Sequence, residues 1–113
     1  MSSPAAEWKS TFVREEIIVA SLIKVSAESK TRAVAGAIAG VMRQEGTAEV
    51  QAVGAGAINQ AIKALALARI FLQTGEGDIG MTPSFVDVEI DGEHKTAVRL
   101  SVFWNPNAPQ HPL

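Results

Sequence analysis

The feature that most constrains the fold of this chain is a strand-forming segment followed by a helix-forming segment, an order that occurs twice. Residues 17–25 are rich in β-branched side chains and predict a strand. Within residues 32–44 the apolar positions recur every three or four residues, as on one face of a helix. Residues 49–53 and 57–73 repeat the order. This order is typical of a sheet whose first two strands are parallel neighbours.

The chain then changes to two segments of alternating polarity joined by Asp91-Gly92, a dipeptide typical of hairpin turns. We take residues 75–80 as a loop and Pro83 as the start of the third strand. The apolar positions are Val86, Val88 and Ile90 before the turn, and Val98, Leu100 and Val102 after it. A two-residue turn would pair Val88 with Lys95 and place apolar and charged side chains on one face. We therefore expect a bulge, or a loop of about three to five residues, within residues 91–95.

The predicted order is β-α-β-α-β-β, which indicates an α/β fold of the two-layer α+β type. It has a four-stranded mixed sheet and two helices on one face. We expect residues 17–104 to form this domain, residues 1–16 to be a weakly structured extension and residues 105–113 to be an irregular tail. Phe85 and Phe103 should lie on the uncovered face of the sheet, which we interpret as a dimer or partner contact.

Composition argues against several classes of function. The chain has no Cys and its two His are far apart in the sequence, so we expect no disulfide and no metal site. No nucleophile–His arrangement is apparent, and we predict that the protein is not an enzyme and needs no cofactor. The sequence shows neither a signal peptide nor an apolar stretch long enough for a bilayer, so we expect a cytoplasmic protein.

Candidate ligand-binding residues follow the second predicted strand. Gly54 and Gly56 precede the second helix, where backbone N–H groups and the helix N-terminus attract phosphate. A tight strand–helix turn explains the same glycines without a ligand. Asn59, Gln60 and Lys63 lie in the first two turns of that helix, and amides with a cation at this spacing suit nucleic acid. An ordinary solvated helix face is the alternative.

Lys30 and Arg32 lie where the first helix begins. Because loops that follow parallel neighbouring strands emerge at one edge of the sheet, these two cations should lie near residues 54–63. With Lys63 they form the only group of three cations that the pattern places on one side of the molecule. The net charge of −2 makes any nucleic-acid contact depend on such a local group. Ordinary surface charge is again the alternative.

These connections also carry a resemblance to a known family. The runs are IKVSA (23–27), AVAGAIAGV (33–41), EVQAVGAGAINQAIKA (49–64), DVEIDGE (87–93) and TAV (96–98). Together they are similar to the stage V sporulation protein S family over residues 22–102. The resemblance implies an Alba-like fold and a role in sporulation, septum formation and coat assembly in spore-forming bacteria. The run GAGAINQAIK (54–63) also resembles a motif of Alba chromatin and RNA-binding proteins, where it shapes the nucleic-acid surface.

Two functional hypotheses follow from these observations. The first is a non-catalytic, homodimeric regulator that binds DNA or RNA through the residues around the two strand–helix connections. The second is a protein–protein interaction or assembly module without nucleic-acid binding. The acidic residues Asp87, Glu89, Asp91 and Glu93 of the predicted hairpin favour the second hypothesis, as does the net negative charge.

Overall fold

The computed structural model describes residues 22–109, and the elements occur in the predicted order β-α-β-α-β-β. They are β1 (Leu22–Val25), α1 (Thr31–Glu45), β2 (Thr47–Ala52), α2 (Ala55–Phe71), β3 (Asp78–Ile90) and β4 (Glu93–Asn105). The four strands form one sheet in the order β1-β2-β4-β3, with β1 and β2 parallel and the other pairs antiparallel. The predicted fold class is confirmed. The predictions for residues 1–21 and 110–113 lie outside the described residues.

Both helices pack on one face of the sheet because each presents a stripe of buried apolar side chains. The buried residues are Val34, Ala35, Ile38, Ala39 and Met42 in α1, and Ala57, Ala61, Ala64, Leu65 and Ala68 in α2. Alternate residues of a strand share a face, so Val50, Leu100 and Val102 all meet the helices. The alanines of α2 let it approach its neighbours closely. We call this side of the sheet the helix face and the opposite side the open face.

The helix ends differ slightly from the prediction. Gly46 ends α1 with a φ of 83°, and its N–H donates to the Met42 carbonyl over 2.8 Å, as is typical of a glycine that terminates a helix. Helix α2 begins at Ala55 and ends at Phe71, two residues before each predicted bound. The last turn of α2 is held from α1, because Arg43 Nη2 donates to the Phe71 carbonyl over 2.9 Å.

The predicted start of the third strand is wrong. Strand β3 begins at Asp78, inside the predicted loop, and Pro83 lies within the strand, opposite Leu100. Proline lacks an N–H donor, but β3 is an edge strand with β4 as its one neighbour in the sheet. The other side of β3 has no neighbouring strand in the sheet, so a missing donor breaks no ladder hydrogen bond there.

The predicted bulge or longer loop in the hairpin is also wrong. Asp91 and Gly92 form a two-residue turn with φ values of 52° and 80°, and Val88 does pair with Lys95. The prediction assumed that the apolar residues of both strands face the core. Strand β2 ends at Ala52, opposite Val98, so the hairpin projects beyond the sheet. Neither face of this projecting part has to be apolar.

The expectation that Phe85 and Phe103 share the uncovered face is wrong as well. Phe85 pairs with Val98, a residue packed against the core, and so lies on the helix face, where it is 82% exposed. Phe103 pairs with Gly80 on the open face. A Cβ placed on Gly80 would lie 2.6 Å from the Phe103 ring, so this ring covers the glycine of the neighbouring strand. The two rings are on opposite sides of the sheet.

Candidate nucleic-acid interface

The loop after β1 and the start of α2 are in direct contact. Gln60 Nε2 donates to the Ser29 carbonyl oxygen over 2.6 Å and to Thr31 Oγ1 over 3.3 Å. A Cβ placed on Gly56 would lie 3.0 Å from the Cβ of Ala27. The structure therefore brings together the two connections that the sequence places at one edge of the sheet.

The loop that carries Lys30 is closed by its own hydrogen bonds. The backbone N–H of Ser26 donates to Ser29 Oγ over 2.9 Å, and the N–H of Ser29 donates to the Ser26 carbonyl over 3.1 Å. The N–H of Glu28 also donates to Ser26 Oγ over 3.2 Å. These bonds fix the path of the loop and hence the position of Lys30 at the start of α1.

Both helix N-termini at this edge lack a capping side chain. The N-cap residues are Lys30 for α1 and Gly54 for α2, neither forms a side-chain cap, and neither helix has an acidic residue in its first turn. The first N–H groups of a helix have no intrahelical acceptor, and the helix dipole adds partial positive charge there. Gly54 has a φ of 93°, a conformation that favours glycine. The two ends thus present free donors next to cations.

The predicted binding residues are distributed unevenly over this edge. Lys30, Arg32, Asn59 and Lys63 are exposed, and within residues 22–109 none of the three cations forms an ion pair with a carboxylate. Gln60 differs from them because it is half-buried and its amide nitrogen is already bonded within the molecule. Its visible role is to hold the loop against α2.

Sequence reasoning missed a second group of cations. Lys24 pairs with Gln51, Gln51 pairs with Arg99, and Lys95 lies four residues before Arg99 on the same strand. All three cations therefore lie on the open face of the sheet. The alternation of β4 places Lys95 and Arg99 on one face, but adding Lys24 requires the register of β1, β2 and β4 together.

Sequence reasoning also missed the partner of Arg69. Its Nε donates to Asp78 Oδ1 over 2.8 Å and its Nη2 lies 2.8 Å from Asp78 Oδ2, which joins the end of α2 to the start of β3. The hydrogen bond that Arg69 donates to the Asp78 carboxylate raises the pKa of Arg69 above its ordinary value. The partner was hidden because Asp78 fell in a predicted loop.

The described residues offer neither a metal site nor a membrane-spanning helix. No three His, Asp or Glu side chains within residues 22–109 are placed to hold a metal ion. Neither α1 nor α2 is long and apolar enough to cross a membrane.

Fold and site together define a class of small two-layer α+β domains. Such a domain places two uncapped helix N-termini at one edge of a mixed sheet and projects a β-hairpin beyond it. The family model of the stage V sporulation protein S (SpoVS) matches residues 21–105. The chain belongs to this family, which confirms the resemblance seen in the sequence and gives the protein a sporulation-related role.

Proposed function

We propose that this protein is a non-catalytic regulator that binds nucleic acid as a homodimer. The phosphate contacts lie at the N-terminal edge, which consists of Lys30, Arg32, Gly54, Gly56, Asn59, Gln60 and Lys63. The observation that carries the proposal is the contact between two uncapped helix N-termini that both lack acidic residues, with unpaired Lys30 and Arg32 at the start of α1 and unpaired Lys63 further along α2. This combination costs folding free energy unless an anion compensates it, because cations are unfavourable at helix N-termini.

Each group at the edge has a distinct part in holding a phosphate backbone. Lys30, Arg32 and Lys63 neutralise phosphate charge. Gly54 and Gly56 have no side chains, so a phosphate approaches the first N–H groups of α2 closely. Asn59 is exposed in the first turns of α2 and contributes an amide donor for a phosphate or a base edge. Gln60 keeps the two halves of the edge in register through its bond to Ser29.

The dimer contact in this proposal is an apolar patch on the helix face of the edge strand. The edge-strand patch consists of Ile62, Met81, Pro83, Phe85 and Val98. Ile62 lies seven residues before Arg69, which contacts β3, so Ile62 is on the same side of α2 as that strand. Ile62 is 42% exposed, and Phe85 is the most exposed large apolar residue of the described chain. A symmetric contact would cover this surface and present two N-terminal edges to one nucleic acid.

The acidic residues of the hairpin limit how nucleic acid can approach. Asp87 and Glu89 pair with Thr96 and His94 and lie on the helix face of the projecting hairpin, which repels a phosphate backbone. This acidity and the exposed Phe85 favour the second candidate function, a module that docks another protein through its apolar patch.

A charge-matched pair of double variants tests the nucleic-acid function. Lys30→Gln with Lys63→Gln removes two cations from the edge. Gln44→Glu with Thr47→Glu changes the net charge equally at two exposed positions, one in the last turn of α1 and one just after it. Affinity for short duplex DNA and single-stranded RNA is measured by electrophoretic shift between about 50 and 200 mM salt.

The expected result is specific to the edge. The variant without Lys30 and Lys63 loses at least about tenfold in affinity at low salt, because each cation lost is one fewer counterion-releasing contact. The control variant stays within about threefold of the unmodified protein. Equal loss in both variants, or no binding by the unmodified protein to any nucleic acid, rejects this function in favour of the protein-docking module.

A further inference from the structure

A concave pocket on the open face borders the N-terminal edge through the loop after β1 and through Val53, but none of the edge residues lines it and it has no role in the proposed function. Its volume is about 570 Å³, and it lies between the projecting hairpin and the carboxyl ends of β1 and β2. Ligands commonly bind outside the carboxyl ends of parallel strands in α/β sheets, and small-molecule sites are of this size.

The pocket contains one side-chain amide whose nitrogen has no hydrogen-bond partner among the described residues. Gln51 is only 9% exposed, and its Oε1 accepts a hydrogen bond of 2.6 Å from Arg99 Nη2. This bond fixes the orientation of the amide, since only the oxygen can face a guanidinium. The amide nitrogen of Gln51, which lines the pocket, donates to none of the described residues. It is a donor on a largely buried side chain and is available to a ligand.

Two lysines border the same space. Lys24 forms no ion pair within residues 22–109, and the one carboxylate close to Lys95 Nζ there is that of Glu93, at 3.6 Å between exposed side chains. A pair at this distance and exposure is weak. Arg99 lies behind Gln51 with a buried Nε that lacks a hydrogen-bond partner among the described residues. Lys24 and Arg99 are thus the cross-strand neighbours of Gln51, and Lys95 lies further along β4 on the same face.

The remaining walls of the pocket are aliphatic. Val53, Val88 and Ile90 line it, and none of its lining residues in the described chain is aromatic. The apolar row of the hairpin, which has no core to join, thus faces the floor formed by β1 and β2. Aliphatic walls bury a hydrocarbon chain and offer no ring on which a base would stack.

Two carboxylates also border the pocket, and they act differently. Glu89 lies on the opposite face of the hairpin from Val88 and Ile90, so strand alternation directs its side chain away. Glu28 is exposed on the loop after β1, where its charge opposes an anion at the rim. Apart from Glu89, the lining carries the two lysines against the one carboxylate of Glu28, and the pair with Glu93 offsets part of the Lys95 charge.

We propose that this pocket binds a small amphiphilic anion, with one phosphate or carboxylate on an aliphatic chain. The anion accepts hydrogen bonds from the Gln51 amide and lies between Lys24 and Lys95. The chain packs against Val53, Val88 and Ile90. A free metabolite and a lipid headgroup both offer this chemistry.

The test is a titration of the full chain with octyl phosphate below its micelle concentration, followed by backbone NMR. Binding should shift the amide signals of Val53 and Val88, and inorganic phosphate alone should bind at least about tenfold more weakly. Octanol, which lacks the charge, should bind as weakly as inorganic phosphate. If octyl phosphate shifts neither signal, or binds no better than inorganic phosphate, the proposal fails.

Substitutions of opposite sign sharpen the test. Lys24→Gln with Lys95→Gln should weaken octyl phosphate binding about tenfold, whereas Glu28→Gln should tighten it about twofold. The variant Gln44→Glu with Thr47→Glu has the same net charge as the double lysine variant and should bind normally. If octyl phosphate binding weakened equally in both double variants, the loss would reflect the net charge of the protein and not the pocket, and the proposal would be overturned.

Two further measurements identify the source of the ligand and separate this proposal from the nucleic-acid function. Co-sedimentation with phosphatidylcholine vesicles containing phosphatidate, lost in the double lysine variant, assigns the anion to a bilayer. Octyl phosphate binding without vesicle binding assigns it to a free molecule. RNA is then added to the complex with octyl phosphate, and the displacement of octyl phosphate is measured. Failure of RNA binding alone leaves the pocket intact, because Lys24 and Lys95 are not part of the N-terminal edge.

Discussion

The side-chain amide of Gln60 donates to the carbonyl oxygen of Ser29 over 2.6 Å, across 31 positions of the chain. This bond joins the first turns of α2 to the loop after β1. Lys30 and Arg32 form one surface with Lys63 only if the loop after β1 and the first turns of α2 are held together. Gln60 supplies that restraint, together with the contact of Ala27 with Gly56.

Replacing Gln60 should therefore lower stability. Gln60→Ala removes the donor to the Ser29 carbonyl in a half-buried setting, which typically costs about 1 kcal/mol of unfolding free energy. Asn59→Ala is the matched control, because Asn59 is exposed on the same turn, and it should stay within about 0.5 kcal/mol. Urea unfolding monitored by circular dichroism measures both. Equal midpoints for the two variants would contradict the restraining role.

The salt dependence of binding should distinguish a restraining residue from a phosphate contact. Lys63→Gln removes a charge, so the slope of log affinity against log salt for duplex DNA should become shallower by about 0.9. Gln60→Ala removes no charge, so it should lower affinity with a smaller change of slope than Lys63→Gln. A series of electrophoretic shifts at increasing salt gives both slopes. A change of slope for Gln60→Ala as large as that for Lys63→Gln would mean that the loop, once released, no longer presents Lys30 and Arg32.

A double-mutant cycle tests the contact between the two connections. Gly56→Ala should gain up to about 0.5–1 kcal/mol of helix propensity. When Ala27 is present, the Cβ added at position 56 lies 3.0 Å from the Ala27 Cβ, so part of that gain in stability is lost. In the Ala27→Gly background the full gain should appear. Additive effects within about 0.3 kcal/mol would show that the loop moves aside freely.

The sequence predicts the element order and the meeting of the two connections for the same physical reason. Helical periodicity and β-branched runs are local signals, and a strand–helix–strand order implies parallel pairing, which places both loops at one edge. The observed contacts of Gln60 with Ser29 and Thr31 follow from that topology.

What the sequence does not predict depends on the position of each strand in the sheet. The hairpin register was wrong because the extent of β2, which ends at Ala52, decides where the core stops. Pro83 was misplaced because its tolerance depends on β3 being an edge strand. The open-face group of Lys24, Lys95 and Arg99 requires the register of three strands, a non-local property.

The opposite faces of Phe85 and Phe103 give the last prediction, which concerns the dimer. Phe85→Ser should leave the unfolding free energy nearly unchanged, since the ring is 82% exposed, and should convert the protein to a monomer if the edge-strand patch is the contact. Phe103→Ser uncovers Gly80 on the open face, so it should cost about 1–2 kcal/mol of stability and leave the dimer intact. Sedimentation equilibrium and urea unfolding of both variants give the comparison. Dissociation by Phe103→Ser but not by Phe85→Ser would move the contact to the open face, where it would compete with the pocket beneath the hairpin.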